Sequence, residues 1–260
     1  MDKIIQLQKY NQSKDNIKRI EPFVEIVNEY VALAKRYADC FEELYGKAMQ
    51  NEYRREYAKG GQVIHRGFYS PSSLDVVTGG CSRGHLLKNI HPKRGYDYEY
   101  FFDKLGNMIC CKHHKCTEIL IYNDDCILGL EFCHSDDCSI KRISQCWYED
   151  TKLVKYVCGL LDNCEDGDVC TEINMETFEY ADNVLNKFNW LRYSPGIKLL
   201  THNEISLFRD AVGNLLEYSV KEFVLPRSKE TPSFLEFKYS AREKRKLFHD
   251  THCISKQKTV

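Results

Sequence analysis

The apolar positions in the first part of the chain follow a helical period. Between Glu21 and about Lys59 they recur at alternating steps of four and three, which places them in one stripe. Pro22 stands where a first-turn proline is tolerated, and Gly60-Gly61 ends the segment. The stripe consists of Phe23, Val27, Tyr30, Ala34, Tyr37, Phe41, Leu44 and Ala48. We therefore expect one long helix packed on a sheet, while a coiled-coil seam is the alternative with the same pattern.

After Gly95 the apolar period changes to two. Alternation over Tyr96–Asp103 and Cys126–Cys133 predicts strands with one face in a core. Turn signals rich in Asp, Asn and Gly separate these segments, and no helical pattern lies between them, so the strands are expected to pair as antiparallel hairpins. One more strand is predicted near Ser233–Tyr239.

One hairpin pattern occurs twice. Phe101–Ile109 matches Phe208–Leu216, and both contain Phe-x-Asp-x-x-Gly-Asn; Tyr148–Tyr156 is a shortened relative. The Asp carboxylate caps such a turn and the Gly supplies a positive φ. The predicted fold class is therefore α+β, with a long N-terminal helical segment packed on a large antiparallel β region of repeated hairpins. That region would form a twisted meander or two packed sheets.

These patterns divide the chain into four segments. Residues 1–60 form the N-terminal helical segment, residues 61–95 a linker or loop region, and residues 96–240 the antiparallel β-hairpin region. Residues 241–260 form a basic polar tail. The four segments are expected to make one compact unit.

Composition favours a globular cytoplasmic protein. Apolar residues make up 43% and charged residues 29%, and no apolar run approaches the roughly 20 residues that cross a bilayer. Met1–Lys9 lacks the apolar stretch of a signal peptide. In this compartment the 13 cysteines are expected to be reduced, half-buried or buried thiols.

Charge is sorted by position. Between Glu118 and Asp182 there are 16 acidic and 4 basic residues, whereas the remaining chain has 22 acidic and 33 basic residues. A block of one sign attracts partners of the opposite sign. The acidic block is therefore expected to bind a basic partner.

The repeated hairpins carry a family resemblance. Their aromatic-x-Phe-x-Asp-x-x-Gly-Asn-Leu pattern resembles the tyrosine–aspartate repeats of polymorphic-toxin shells. It is also similar to β-rich immunity proteins of contact-dependent growth inhibition. Shell proteins carry dozens of copies and this chain has two or three, which favours the immunity proteins. The resemblance implies an intracellular protein that binds and blocks a cognate toxin domain, without cofactor or catalysis.

The expected binding site lies in the densest part of the acidic block. Carboxylates there would displace a nucleic acid from the basic cleft of the toxin, while aromatic side chains supply apolar anchors. A solvated acidic face and a divalent-cation site are the alternatives. The expected partner-binding residues are Asp162, Glu165, Asp166, Asp168, Glu172, Glu176, Phe178, Glu179, Tyr180, Asp182 and Trp190.

Two other functions stay open. On a strand spanning residues 110–116, Cys110, His114 and Cys116 would share a face and be candidate ligands of a zinc module or metal-dependent enzyme. The chain has no Cys-x-x-Cys pair, and this absence favours unligated thiols. A basic loop around Arg83–Arg94 and the run Arg242–Lys246 would suit a nucleic-acid-associated protein.

Overall fold

The computed structural model describes residues 14–74, 82–134, 138–164, 167–210, 213, 215–224 and 233–240. This part of the chain contains two α-helices, α1 (Lys14–Tyr37) and α2 (Phe41–Gln50), and thirteen β-strands. The strands are β1 Arg54–Lys59, β2 His85–Leu86, β3 Tyr98–Phe102, β4 Met108–His113, β5 Cys116–Tyr122, β6 Ile127–Cys133, β7 Ser139–Glu149, β8 Lys152–Cys164, β9 Gly167–Ala181, β10 Val184–Ser194, β11 Leu199–Arg209, β12 Leu215–Val224 and β13 Ser233–Ser240.

The described residues divide into two compact units. Leu33–Tyr156 form the first unit, and the residues before and after this range form the second. In the first unit the strand order is β2-β1-β3-β4-β5-β6-β7, and in the second β9 to β13 follow one another in chain order. Strand β8 contributes Lys152–Tyr156 to the first unit and its remaining residues to the second. The residues 75–81 and 241–260 of the expected loop and tail lie outside the described part of the chain.

The expected fold, a long helix packed on a large β region, is wrong. The fold is mainly antiparallel sheet, and the described residues contain only two helices. The helical pattern breaks after Tyr37, and Arg54–Lys59 form a strand that pairs with β3. Ala58 lies opposite Tyr98 and is fully buried among aromatic side chains. This segment lies beyond Ala48, the last position of the helical stripe, and its pairing and burial in the sheet make it a strand.

The repeated hairpins are confirmed. Asp103 Oδ1 accepts a hydrogen bond from the Asn107 backbone N–H at 2.8 Å, and Gly106 has φ 85°. In the second copy the Gly213 N–H donates to the Asp210 carbonyl at 3.0 Å, and Gly213 has φ 88°. Because each turn needs one residue at positive φ, the glycine spacing locates the hairpins correctly. The strands predicted over 96–103, 126–133 and 233–239 are confirmed as β3, β6 and β13.

The sheet of the first unit is covered on both faces. On one face Phe41 of α2 packs against Phe132, with ring centroids 5.2 Å apart. On the other face the segment 60–74 is fixed by the sheet: Tyr98 donates to the Gly61 carbonyl at 2.9 Å and Tyr100 to the Arg66 carbonyl at 2.8 Å. We call this second face the polar face, since charged side chains are enclosed between it and the segment.

Helix α1 has a different packing environment in the second unit. The Tyr30 side chain is fully buried and its hydroxyl donates to the Val157 carbonyl at 3.4 Å. A Cβ on Gly159 would lie 2.4 Å from the Tyr30 ring, so the helix approaches the strand closely only because this residue is glycine. Neither described helix has the length and apolar character needed to cross a bilayer.

Candidate functional site

Strand alternation places two glutamates on the polar face. Glu118 of β5 lies opposite Glu131 of β6, and Gly129 of β6 lies opposite Ser144 of β7. Since residues two apart on a strand share a face, Glu131 and Gly129 point to the same side. Both glutamates are almost fully buried, at 1% and 4% relative exposure. Buried charges of this kind need partners. The segment 60–74 supplies those of Glu118, and the neighbouring strands β4 and β7 supply those of Glu131.

Arg66 neutralises Glu118 in a closed network. Its Nε donates to Glu118 Oε2 at 2.9 Å, and its Nη2 donates to Glu118 Oε1 at 2.7 Å. The same Nη2 donates to Ser144 Oγ at 2.8 Å, and Ser144 Oγ in turn donates to Glu118 Oε1 at 3.0 Å. Two parallel bonds from one guanidinium to one carboxylate are a strong and geometrically specific ion pair.

Gly129 leaves the room for this network. A Cβ there would lie 2.1 Å from Glu118 Oε1, 2.4 Å from Ser144 Oγ and 2.5 Å from Arg66 Nη2. All three distances are far below van der Waals contact, and every atom belongs to a buried group held by the others. The network therefore rests directly on the β6 backbone and depends on the absence of a side chain at this position.

The charges set the protonation states. Burial alone would raise the pKa of Glu118, but the guanidinium of Arg66 and the imidazole of His65 hold it well below its usual range. Burial lowers the pKa of His65 and outweighs the attraction of Glu118. His65 is therefore neutral near pH 7. An ionised carboxylate only accepts, so His65 Nε2–H donates to Glu118 Oε2 at 3.0 Å, and Nδ1 accepts from the Tyr156 hydroxyl at 2.7 Å.

A second buried group surrounds Glu131. Its Oε2 lies 3.0 Å from both His113 Nε2 and Arg142 Nη1. Burial would raise the pKa of Glu131, whereas the hydrogen bond from His113 and the charge of Arg142 lower it further than burial raises it. The thiol of Cys116 lies beside them: donor atoms of His113, Cys116 and Glu131 are all within 4.8 Å of one another.

Donor atoms of His65, Glu118 and Glu131 also lie within 4.8 Å of one another. Here both oxygens of Glu118 already accept from Arg66. A cation at this point would stand against a buried guanidinium. This group is therefore an ion-pair network rather than a metal centre.

A cavity of about 400 Å³ opens at one end of the same unit. It lies where the turns β3–β4, β5–β6 and β7–β8 meet the segment 66–71, with Arg66 and Leu120 among the residues of its wall. Its remaining walls carry aromatic and acidic side chains in comparable number. The aromatic ones are Tyr69, Phe102, Tyr122 and Tyr148, and the acidic ones are Asp124, Asp125 and Asp150. We call this cavity the turn pocket.

The turn pocket has an excess of negative charge. Asp124, Asp125 and Asp150 are exposed, and no residue in the described part of the chain forms an ion pair with them. The charge of Arg66 is already balanced by Glu118. Carboxylates beside aromatic rings attract a guanidinium or ammonium group through both charge and cation–π contact. A volume of this size also fits the range of ligand sites.

The predicted carboxylates of strand β9 are largely paired or buried. Glu172 accepts from Arg192 Nε at 2.6 Å, and Glu179 lies 3.7 Å from Lys187 Nζ. Glu176 is fully buried. These cations lie on the neighbouring strand β10, so a count along the chain did not place them beside the carboxylates. The stretch is therefore less negative than its sequence suggests.

The other predicted partner-binding residues are not in one patch. Phe178 is buried against Phe188, with centroids 6.1 Å apart, and Trp190 donates to Asn174 at 3.0 Å. Both are part of the fold of the second unit rather than free anchors. Exposed carboxylates remain at Asp162 and at Asp182, which lies in the β9–β10 turn.

The backbone of Asp168 lies in β9, and Glu165 and Asp166 lie outside the described residues. Tyr180 is half-buried on the same strand.

The metal-ligand set expected from a single strand over 110–116 does not form. His114 has φ 47° and lies in a two-residue turn, so His113 pairs with Cys116. Cys110 lies opposite Ile119, on the face away from Cys116. The turn interrupts the alternation of the strand, so Cys110 does not share a face with Cys116.

No protein-family model matches the chain, and no curated protein matches it either.

Sequence reasoning missed Arg66, Glu118, Glu131 and the turn pocket. The sequence does hold a signal for the glutamates, because each interrupts a largely apolar strand: Ile119-Leu120-Ile121 follows Glu118, and Leu130 and Phe132 flank Glu131. A lone carboxylate inside such a run is expected to be buried and paired. Arg66 carries no comparable signal, since it lies in a loop-like segment.

Proposed function

We propose that this chain is an immunity protein, a non-enzymatic cytoplasmic binding protein that neutralises the basic domain of a cognate toxin. The observation that supports the proposal is the turn pocket. Its three exposed, unpaired carboxylates stand beside aromatic rings in a concave site, which suits an Arg or Lys side chain of the partner.

The position of the pocket suits a binding surface. It is built from turns whose ends are fixed by a rigid sheet, and Tyr122, one of its walls, donates to the Met108 carbonyl at 2.9 Å. Tyr69 is likewise anchored by its hydroxyl, which donates to Glu56. Preorganised walls lower the entropy cost of binding. Exposed carboxylates around the rim would speed the encounter with a basic surface and displace its nucleic-acid substrate.

This proposal moves the expected contact from strand β9 to the turn pocket. On β9, Glu172 and Glu179 form ion pairs with cations of β10, which partly neutralise their charge. The carboxylates of the turn pocket have no such counterpart among the described residues. The two surfaces therefore offer a direct comparison of sites with equal formal charge.

The experiment compares the two surfaces in a growth assay. The immunity proposal expects a gene for a secreted toxin beside the gene for this chain, and the C-terminal domain of that toxin is co-expressed with the full chain. The pocket variant carries D124N, D125N and D150N. The matched variant carries D162N, E179Q and D182N, which removes the same charge from the other unit. Binding is measured with purified proteins at two salt concentrations.

Protection by the wild type, its loss in the pocket variant and its retention in the matched variant would support the proposal. Loss only in the matched variant would place the interface on β8 and β9 and reject the pocket. Absence of both protection and binding by the wild-type chain would reject the immunity function itself.

A further inference from the structure

We propose that His113, Cys116, Cys133 and Glu131 together bind one zinc ion. The site lies on the polar face at the end of strands β4, β5 and β6 that is opposite the turn pocket. It is independent of the proposed immunity function and of the ligand set Cys110, His114 and Cys116 expected from the sequence.

The strand register assembles the four ligands. His113 of β4 lies opposite Cys116 of β5, and Cys116 lies opposite Cys133 of β6. Residues directly opposite each other in an antiparallel sheet project side by side from one face. Glu131 precedes Cys133 by two positions on the same strand and therefore projects from the same face. Three adjacent strands thus contribute a continuous group of donors.

The side chains are already close to one another. The donor atoms of His113, Cys116 and Glu131 lie within 4.8 Å of one another, and His113 Nε2 is 3.0 Å from Glu131 Oε2. The thiol of Cys116 also shares a hydrogen bond with the thiol of Cys133. Both cysteines are half-buried thiols, so an ion has access to them. Zinc binding requires the Cys133 thiol, which already contacts Cys116, to join this group as the fourth donor.

The donor types select zinc. Two thiolates, one imidazole and one carboxylate make a four-coordinate set with soft and borderline ligands, which suits Zn²⁺ and disfavours Mg²⁺ and Ca²⁺. The charges also balance: one Zn²⁺, two thiolates and one carboxylate sum to −1, and Arg142 beside Glu131 adds +1. A buried site of zero net charge avoids the cost of an unpaired charge.

Binding releases two protons. The thiols of Cys116 and Cys133 share a hydrogen bond in the metal-free protein, and zinc binds cysteine as the thiolate. When zinc binds, the two S–H bonds break, two Zn–S bonds form and both protons go to solvent. His113 binds through Nε2, so the proton that Nε2 donates to Glu131 moves to Nδ1 by exchange with solvent, and the ion replaces this hydrogen bond. The consequence is a cross-link between three strands, since each contributes at least one ligand.

The experiment uses the full chain, purified under reducing conditions without chelator, and Co²⁺ as a spectroscopic replacement for zinc. One equivalent of Co²⁺ is expected to give a thiolate-to-cobalt charge-transfer band and tetrahedral d–d bands, and Zn²⁺ is expected to abolish both. Elemental analysis is expected to give one zinc per chain. Reduced wild-type protein that shows no charge-transfer band and takes up no zinc would overturn the proposal.

Single substitutions locate the site. C116S and C133S are each expected to weaken Co²⁺ binding by at least about tenfold, since each removes a direct ligand. C126S is the matched control: Cys126 is also a half-buried thiol of the same unit, but it lines the turn pocket at the other end of the strands. Circular dichroism checks that each variant is folded. Equal loss of metal in C126S, or full retention in both C116S and C133S, would also overturn the proposed site.

Discussion

The substitution G129A tests the buried network most directly. The added Cβ would lie 2.1–2.5 Å from atoms of Glu118, Ser144 and Arg66, and ordinary contacts lie beyond 3.4 Å. Each of these atoms is held by two or more hydrogen bonds within the network, so none has a free direction in which to move. The methyl group therefore enters only if the ion pair between Arg66 and Glu118 opens.

The cost follows from that opening. Separating a buried ion pair without replacing it destabilises a protein by about 3–5 kcal/mol. A domain of this size is stable by only about 5–15 kcal/mol, so G129A is expected to remove a large share of the free energy of unfolding. The matched control is G46A, the same change in helix α2, where nothing lies within 4 Å of the new Cβ. Alanine at an open helical position is expected to stabilise by about 0.5–1 kcal/mol.

The assay is urea unfolding monitored by tryptophan fluorescence. The chain has two tryptophans, and each compact unit contains one, Trp147 in the first and Trp190 in the second. In a W190F background, the signal of Trp147 reports the unit that contains the network. A free energy of unfolding for G129A within about 0.5 kcal/mol of the parent would show that the network does not occupy this space. The same conclusion would follow if G46A were equally destabilising.

Three further predictions concern Glu118, His65 and the hairpin residue Asp103. E118Q should destabilise by about 3–5 kcal/mol in urea unfolding because it leaves Arg66 as a buried unpaired charge. E52Q, which breaks a partly exposed ion pair with Arg55, should have a much smaller effect. The pKa of His65 is lowered in the folded protein, so below about pH 6.5 the unfolded chain binds a proton that the folded chain does not. The free energy of unfolding should therefore fall as the pH drops below about 6.5, by at most ~1.4 kcal/mol per pH unit. H65Q should reduce this pH dependence in thermal unfolding. D103A should cost about 1 kcal/mol, since the side chain bonds two groups of Asn107, and an unchanged melting temperature would contradict the proposed cap.

The local features of the fold were predictable from the sequence. Alternation and turn residues located strands β3, β6 and β13 and the paired hairpins, because both signals depend on neighbours within a few residues. The strand at Arg54–Lys59 was not predictable in this way, since its pairing with β3 depends on residues about forty positions later. The stripe from Phe23 to Ala48 is helical, but its period continues across the break between Tyr37 and Phe41 and therefore did not reveal that two helices share it.

The candidate site was less predictable than the fold. The acidic stretch was visible as a block of charge, but its pairing with Arg192 and Lys187 depends on the register between β9 and β10. The group around Cys116 was visible as a concentration of Cys and His. Its actual membership depends on a turn at His114, which places His113 rather than Cys110 beside Cys116. Register is a non-local property, and the period of a single strand does not determine it.

The contact between Tyr30 and Val157 has a consequence for folding during synthesis. These residues are 127 positions apart, whereas the neighbouring hairpins of each unit join strands close in the chain. Hairpins with short separations form early because they lose little loop-closure entropy. During synthesis the apolar side of helix α1 therefore stays uncovered until strand β8 has left the ribosome. A chaperone that shields such a helix would act on this chain before any of its later strands exist.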